Sequence, residues 1–138
     1  MGVDGSGSSK AALVSAIKQA GLTGAAVEAM IAWELPAAYG YPAPMTYDRV
    51  DFEELAGRVV TDAIAEVTAG TAAGEVRYKV VEGNAARVLL DAAAGADLLA
   101  VGNPGHGGFA EALLGSTGQH CVHHATCPVV AIRGSSSL

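Results

Sequence analysis

The chain has 138 residues, with 8 Lys and Arg against 14 Asp and Glu, so its net charge is −6. Just over half of it is apolar (51%) and only 16% is charged, which excludes disorder as the main state. That length suits one domain spanning residues 1–138, able to hide roughly two-thirds of its unfolded surface. An acidic chain without a Lys/Arg run is not built to grip nucleic acid through phosphates. Two cysteines are too few for a disulfide scaffold and fit a reducing, cytoplasmic setting. No apolar run reaches the ~18–20 residues of a membrane span, and no signal peptide is visible. Met1-Gly2-Val3-Asp4-Gly5-Ser6 matches the myristoylation template, but no second anchor or polybasic patch accompanies it. Its plainer reading is a strand entering a loop.

Met1–Val3 is a short apolar strand, followed by the loop 4–9, where Ser8 or Ser9 is the N-cap candidate. Residues 10–20 read as a helix with Leu13, Val14 and Ile17 on one stripe and Gly21 as its stop. Residues 25–33 form a buried strand. Residues 35–47 hold three Pro and three Tyr without a period and read as a mobile loop. Asp48 and Asp51 make a capping-box-like pair before a long amphipathic helix carrying Phe52, Leu55, Val59, Ala63 and Val67. Asp51, Glu53 and Glu54 suit the positive end of its dipole better than they suit a metal.

Residues 75–81 alternate as a strand, and Asn84 caps a helix bearing Val88, Leu89 and Ala92 that ends at Gly95. Residues 97–101 are a buried strand, and 102–115 a Gly-rich segment with an apolar turn at 109–114. Residues 116–124 are helical, 128–132 the last strand, and 134–138 a polar tail. Strict β-α alternation of this kind demands right-handed crossovers and a parallel sheet covered by helices on both faces.

In such a sheet a ligand sits beyond the carboxyl ends of the strands. The richest of these ends is the run from Val101 through Gly102, Asn103, Pro104, Gly105 and His106 to Gly108, with Gly115-Ser116-Thr117 opening the next helix. Glycines let backbone N–H groups approach an anion, and a helix N-terminus adds donors and a favourable dipole. Two such clusters favour a phosphate-bearing ligand over glycines that merely turn the chain. No Walker A pattern occurs, and Gly5-Ser6-Gly7-Ser8-Ser9-Lys10 lacks the third glycine of a dinucleotide fingerprint.

At these residues the sequence resembles the universal stress protein family. That family's nucleotide-binding subset carries Gly-x-x-Gly, nine residues, then Gly-Ser/Thr. Here Gly102 and Gly105 are followed by the nine residues 106–114 and then Gly115-Ser116. The likeness extends to Val3-Asp4-Gly5-Ser6, Val81-Glu82-Gly83, Ala96-Asp97-Leu98-Leu99 and the ending 119–133 with its His-His-Ala-x-Cys-Pro-Val-Val core. The resemblance implies a Rossmann-like open parallel α/β sheet of five strands, order 3-2-1-4-5, with helices on both faces. It implies a stress-response regulatory module binding ATP, or ADP, AMP or cyclic AMP, with Mg²⁺ or Mn²⁺ accompanying the nucleotide.

Carried over by position, Asp4 meets the ribose or adenine side, and Ala32 offers backbone to adenine. Val101, Gly102 and Gly105 line the ribose and α-phosphate. Gly115, Ser116 and Thr117 hold the distal phosphates. The resemblance also implies a homodimer formed by pairing the last strands through Val129–Ile132, in keeping with an apolar edge strand being a pairing template.

Three departures bear on this. Pro104 has no N–H to give a phosphate. Gly118 replaces a hydroxyl residue. The first strand has only Met1-Gly2-Val3 ahead of Asp4, where the family has several more apolar residues. These departures leave open a protein with a degraded phosphate site that acts through other contacts.

His120, Cys121, His123, His124 and Cys127 have the residue types of a metal site, but a polar exposed helix face with a buried Cys127 is the simpler account, and a Cys121–Cys127 disulfide does not suit the compartment. His106 is either an exposed loop side chain or an imidazolium near phosphate. Trp33 reads as core or rim. No paired carboxylates, nucleophile–base pair or catalytic Lys stands out, so slow nucleotide turnover or autophosphorylation is the most that is expected by way of catalysis.

Overall fold

The computed structural model of the chain describes residues 1–34, 49–69, 75–103 and 116–133. Its elements run α1 (Gly7–Thr23), β1 (Val27–Trp33), α2 (Arg49–Thr68), β2 (Val76–Glu82), α3 (Ala85–Ala93), β3 (Leu99–Asn103), α4 (Ser116–His124) and β4 (Val129–Arg133). β1 pairs with β2 in parallel, Val27 opposite Val76 through Trp33 opposite Glu82. β3 pairs with β4 in parallel, Leu99 opposite Val129 through Asn103 opposite Arg133. The alternation read from the sequence is therefore an α/β fold of parallel strands and helices.

Among the described residues the strands form two two-stranded sheets rather than one sheet of five. The difference lies in the stub at the start. Met1–Val3 makes one parallel bridge, Gly2 to Met30, and is too short to form a ladder. Its backbone nevertheless reaches both sheets. Val3 N–H donates to the Met30 carbonyl at 2.8 Å, Met30 N–H donates to the Met1 carbonyl at 2.8 Å, and Gly2 N–H donates to the Ala100 carbonyl at 3.3 Å.

The helices follow from local chemistry, with boundaries that differ from the sequence reading. Ser6, not Ser8 or Ser9, caps α1: its hydroxyl accepts the Ser9 N–H at 3.2 Å. The helix runs past Gly21 to Thr23. Gly24, at φ 79°, closes it by sending its N–H to the Ala20 carbonyl. On α2 the buried positions are Ala56, Val60 and Ala63, whereas Leu55 is 53% exposed. Of the expected stripe, Ala63 is buried and Val59 and Val67 pack against the first apolar cluster, while Leu55 turns to solvent and Ala56 and Val60 take the inner positions. Asn84 caps α3 as anticipated, accepting the Arg87 N–H at 3.2 Å. β3 begins and ends two residues later than the sequence pattern suggested, so Gly102 and Asn103 are strand residues.

Two apolar clusters hold the layers together. One joins Val3, Leu13, Val27, Ala29, Ile31 and Val60; the other joins Met30, Val88, Leu89, Leu99, Val101 and Cys121. The split follows the period of two in β1, whose odd residues face α1 and α2 while Met30 faces the α3 and α4 side. Leu13 and Val60 are fully buried, each contributing about 2 kcal/mol of transfer free energy. No helix among the described residues is long and apolar enough to cross a membrane.

Candidate functional site

The carboxyl ends of β1 and β3, the turn after Met1–Val3, and the first residue of α4 define one end of the molecule. Asp4 Oδ1 accepts the Ser6 N–H at 2.9 Å, and Asp4 N–H donates to Ser9 Oγ at 3.3 Å. Ser9 Oγ donates in turn to the Ser6 carbonyl at 3.0 Å, and the Ser6 and Ser8 hydroxyls lie 3.2 Å apart. Gly5, at φ 84°, gives the chain the left-handed step this turn needs.

Burial raises the Asp4 carboxyl's pKa, but hydrogen bonds from the Ser6 side chain and backbone and from Ser9 outweigh it and hold the group below its ordinary range. Asp4 is therefore a fixed anion with an exposed side chain, able to accept from a neutral hydroxyl donor.

Gly102 ties β3 to this turn. A Cβ placed on it would lie 2.6 Å from the Ser8 carbonyl carbon and 2.7 Å from its oxygen. Only a glycine lets the strand end come so close to the opening turn of α1, whose first N–H groups have no helical acceptor. Its neighbour Val101 is buried in the second cluster. At the start of α4, Ser116 is exposed, Thr117 half-buried and Gly118 buried. α4 packs against α3, β3 and β4. Gly105 and Gly115, with Pro104, His106 and the apolar turn 109–114, lie outside the described residues, as does the loop 35–47.

The expected residues thus fall into two groups. Asp4 and Gly102 meet through Ser8. Ala32 lies on β1, paired with Val81 and half-buried on the second cluster, across the Met1–Val3 segment from β3. The sequence marks Asn103 only as part of the Gly-rich run and Ser8 only as a cap candidate, neither as a site residue. Among the described residues, Asn103 Oδ1 and Trp33 Nε1 are buried polar atoms without a hydrogen-bond partner, at the last residues of β3 and β1. Trp33 also stacks on Phe52 of α2 with the rings 5° from parallel. An Asn right after the strand glycine was the available signal; Ser8 had none, since its role is purely a close approach in space.

The histidine-rich helix yields less. His120 and His124 stand one turn apart, ring centroids 4.7 Å from each other, and Cys121 and Cys127 are free thiols. Among the described residues no group of three or more His, Cys, Asp or Glu is arranged to hold a metal ion. Burial raises the Cys121 thiol's pKa, which keeps it protonated and unreactive.

Comparison with known proteins gives a consistent picture. The model of the universal stress protein family matches residues 1–133. A universal stress protein of Mycolicibacterium smegmatis is 34% identical over 97% of this chain and 47% of its own length. One from Mycobacterium tuberculosis is 33% identical over 67% of this chain and 34% of its own. The chain thus spans half or less of the length of these curated relatives. Among solved structures, a universal stress protein in complex with cAMP superposes with a TM-score of 0.71 at 25% identity, covering 98% of this chain and 94% of that one. A universal stress protein from Lactobacillus plantarum gives 0.70 at 26% identity, covering 96% and 94%.

Proposed function

Since the chain belongs to the universal stress protein family, we propose that it is a stress-response regulatory module that binds an adenine nucleotide across the carboxyl ends of its strands. The observation that carries this reading is the contact of Gly102 with the Ser8 backbone beside the fixed Asp4 carboxylate. It puts a glycine strand end, the opening turn of a 17-residue helix and an anionic hydroxyl acceptor in one place. The cAMP held by the structural neighbour supports the same ligand class.

In this reading Asp4 accepts from a ribose hydroxyl, and Ala32 presents backbone to the adenine. Val101, Gly102 and Gly105 line the ribose and first phosphate. Gly115, Ser116 and Thr117 supply backbone and hydroxyl donors to further phosphates, if ATP is the nucleotide, with Mg²⁺ or Mn²⁺ alongside. Met1–Val3 serves as the central strand, giving the order 3-2-1-4-5 within one domain over 1–138; its bonds to Met30 and Ala100 support that order. β4 is the edge for homodimerisation through Val129–Ile132, and its Val130 is 37% exposed.

The test is calorimetric titration with ATP, ADP, AMP and cyclic AMP, alongside native mass spectrometry of the freshly purified protein. Binding that weakens at least about tenfold in Asp4→Ala, the loss of one charge-assisted hydrogen bond, supports the reading. Absence of binding by every nucleotide at millimolar concentration overturns it.

A further inference from the structure

α4 carries three of the chain's four histidines, and none of the three has a part in the nucleotide reading. Residues four apart on a helix lie on one face, one turn above the other. His120 and His124 follow this rule: their ring centroids are 4.7 Å apart and the rings are tilted by 41°. Adjacent residues diverge around the helix axis instead, and the His123 ring stands 6.4 Å from His124, edge to face. His120 and His124 are both exposed, so an ion held between them is not taken out of water.

The spacing of the pair suits two imidazoles sharing one ion. A metal–nitrogen bond of about 2.0 Å puts an ion about 3.2 Å from each ring centroid, so rings 4.7 Å apart correspond to a nitrogen–metal–nitrogen angle of about 95°. Tetrahedral coordination would set the rings about 5.2 Å apart. At the 6.4 Å between His123 and His124 the ion would have to lie on the straight line joining the rings, so that pair offers no chelate of this kind. Ligands at right angles belong to square-planar, tetragonal and octahedral ions. Protein zinc sites are tetrahedral and take three or four protein ligands. Among the described residues no third His, Cys, Asp or Glu is arranged to complete such a set. Cys121 lies between the two histidines in sequence, but it is buried in the second apolar cluster and does not join them.

The surroundings favour a cation. His124 is in the last turn of α4, where the helix dipole presents its negative end. The net charge of −6 adds a general attraction for positive ions. His120 also lines an open cleft of about 370 Å³ together with Asn84, Arg87, Leu90 and Asp91. The cleft leaves room for water ligands on the ion, and its charged residues, Arg87 and Asp91, offset each other.

We propose that His120 and His124 form a chelating site on α4 for a divalent late transition-metal ion with right-angled coordination, Ni²⁺ or Cu²⁺, with water in its remaining positions. Imidazole nitrogens suit these ions, whereas the Mg²⁺ or Mn²⁺ that accompanies a nucleotide prefers oxygen ligands. The site lies at the other end of α4 from Ser116 and does not depend on nucleotide binding. By joining two successive turns, the ion also holds the end of α4 against fraying.

The probe is Ni²⁺, added as its chloride to the untagged protein in a non-coordinating buffer; unlike Cu²⁺, it does not oxidise the free thiols of Cys121 and Cys127. Calorimetry should show saturable binding of one ion per chain. Binding should be at least about tenfold weaker in His120→Ala and in His124→Ala, the smallest loss seen when even an outer partner of a metal site is removed. Both side chains are exposed, so these variants should keep the wild-type circular dichroism. His123→Ala should bind as wild type does, and Zn²⁺ should bind more weakly than Ni²⁺. In proton magnetic resonance spectra of the wild-type protein, the ring signals of His120 and His124 should respond together at substoichiometric Ni²⁺. The proposal is overturned if Ni²⁺ does not bind at millimolar concentration, if either His120→Ala or His124→Ala binds it unchanged, if His123→Ala weakens it equally, or if Zn²⁺ binds as tightly. None of these readouts involves a nucleotide.

Discussion

Replacing Gly102 by Ala tests whether the strand end and the first turn of α1 are as tightly joined as their geometry indicates. The new methyl would lie 2.6 Å from the Ser8 carbonyl carbon, where ordinary contact begins at 3.4 Å, so the two segments must part by about 0.8 Å. The obstacle is backbone, and no rotamer change relieves it. The movement pulls on α1, whose Leu13 is fully buried in the first apolar cluster. Overpacking of this kind costs about 1–3 kcal/mol. With a urea slope of about 2 kcal/mol/M for a domain of this size, the midpoint should fall by about 1 M. Equilibrium urea unfolding followed by circular dichroism reads this directly. Gly7→Ala is the matched control, because a Cβ there meets nothing within 4 Å, and it should leave stability equal or raise it by about 0.5–1 kcal/mol. If Gly102→Ala unfolds at the wild-type midpoint, the close approach does not exist and the site built on it falls.

Two further outcomes are expected. Ser6→Ala removes the α1 cap, since Ser9 N–H then loses its 3.2 Å acceptor; thermal or urea unfolding should show a loss of about 1 kcal/mol. Asp4 has its pKa lowered in the fold, so its ionised form adds stability that is present above the ordinary aspartate range and is lost as pH falls through the folded value. Asp4→Asn should therefore be less stable than wild type near pH 7, and the two curves should converge in strong acid; a gap that persists unchanged there would contradict this.

Much of the architecture was legible in the sequence because a buried parallel strand has few other ways to look. The apolar runs at 25–33 and 97–101 marked β1 and β3 to within two residues, and Asn84 announced α3. The errors arose where a spatial neighbour overrode local preference. Gly21 did not end α1, because nothing crowds it within the helix and the left-handed turn is made three residues later at Gly24. Ser8 and Ser9 lost the cap to Ser6 because Asp4 binds Ser6 N–H and turns the chain two to three residues sooner. On α2 the expected Val59, Ala63 and Val67 do pack inward, but Leu55 gives way to Ala56 and Val60, because a stripe read at spacings of three and four can drift by one residue on a helix of 3.6 residues per turn. At the site, Asp4 and Gly102 stood out as residue types. The orphaned polar atoms of Trp33 and Asn103 emerged only once burial was known.

The thin join between the two strand pairs has a mechanical corollary. Each pair is a ladder within itself, yet among the described residues the backbone bonds crossing from one to the other pass through Met1, Gly2 and Val3. Pulling or thermal fluctuation should therefore split the molecule along this seam before it frays either ladder, with the helices acting as clasps. The fold behaves as two leaves of a book sewn with three stitches, and the length of that stitching sets how readily it opens.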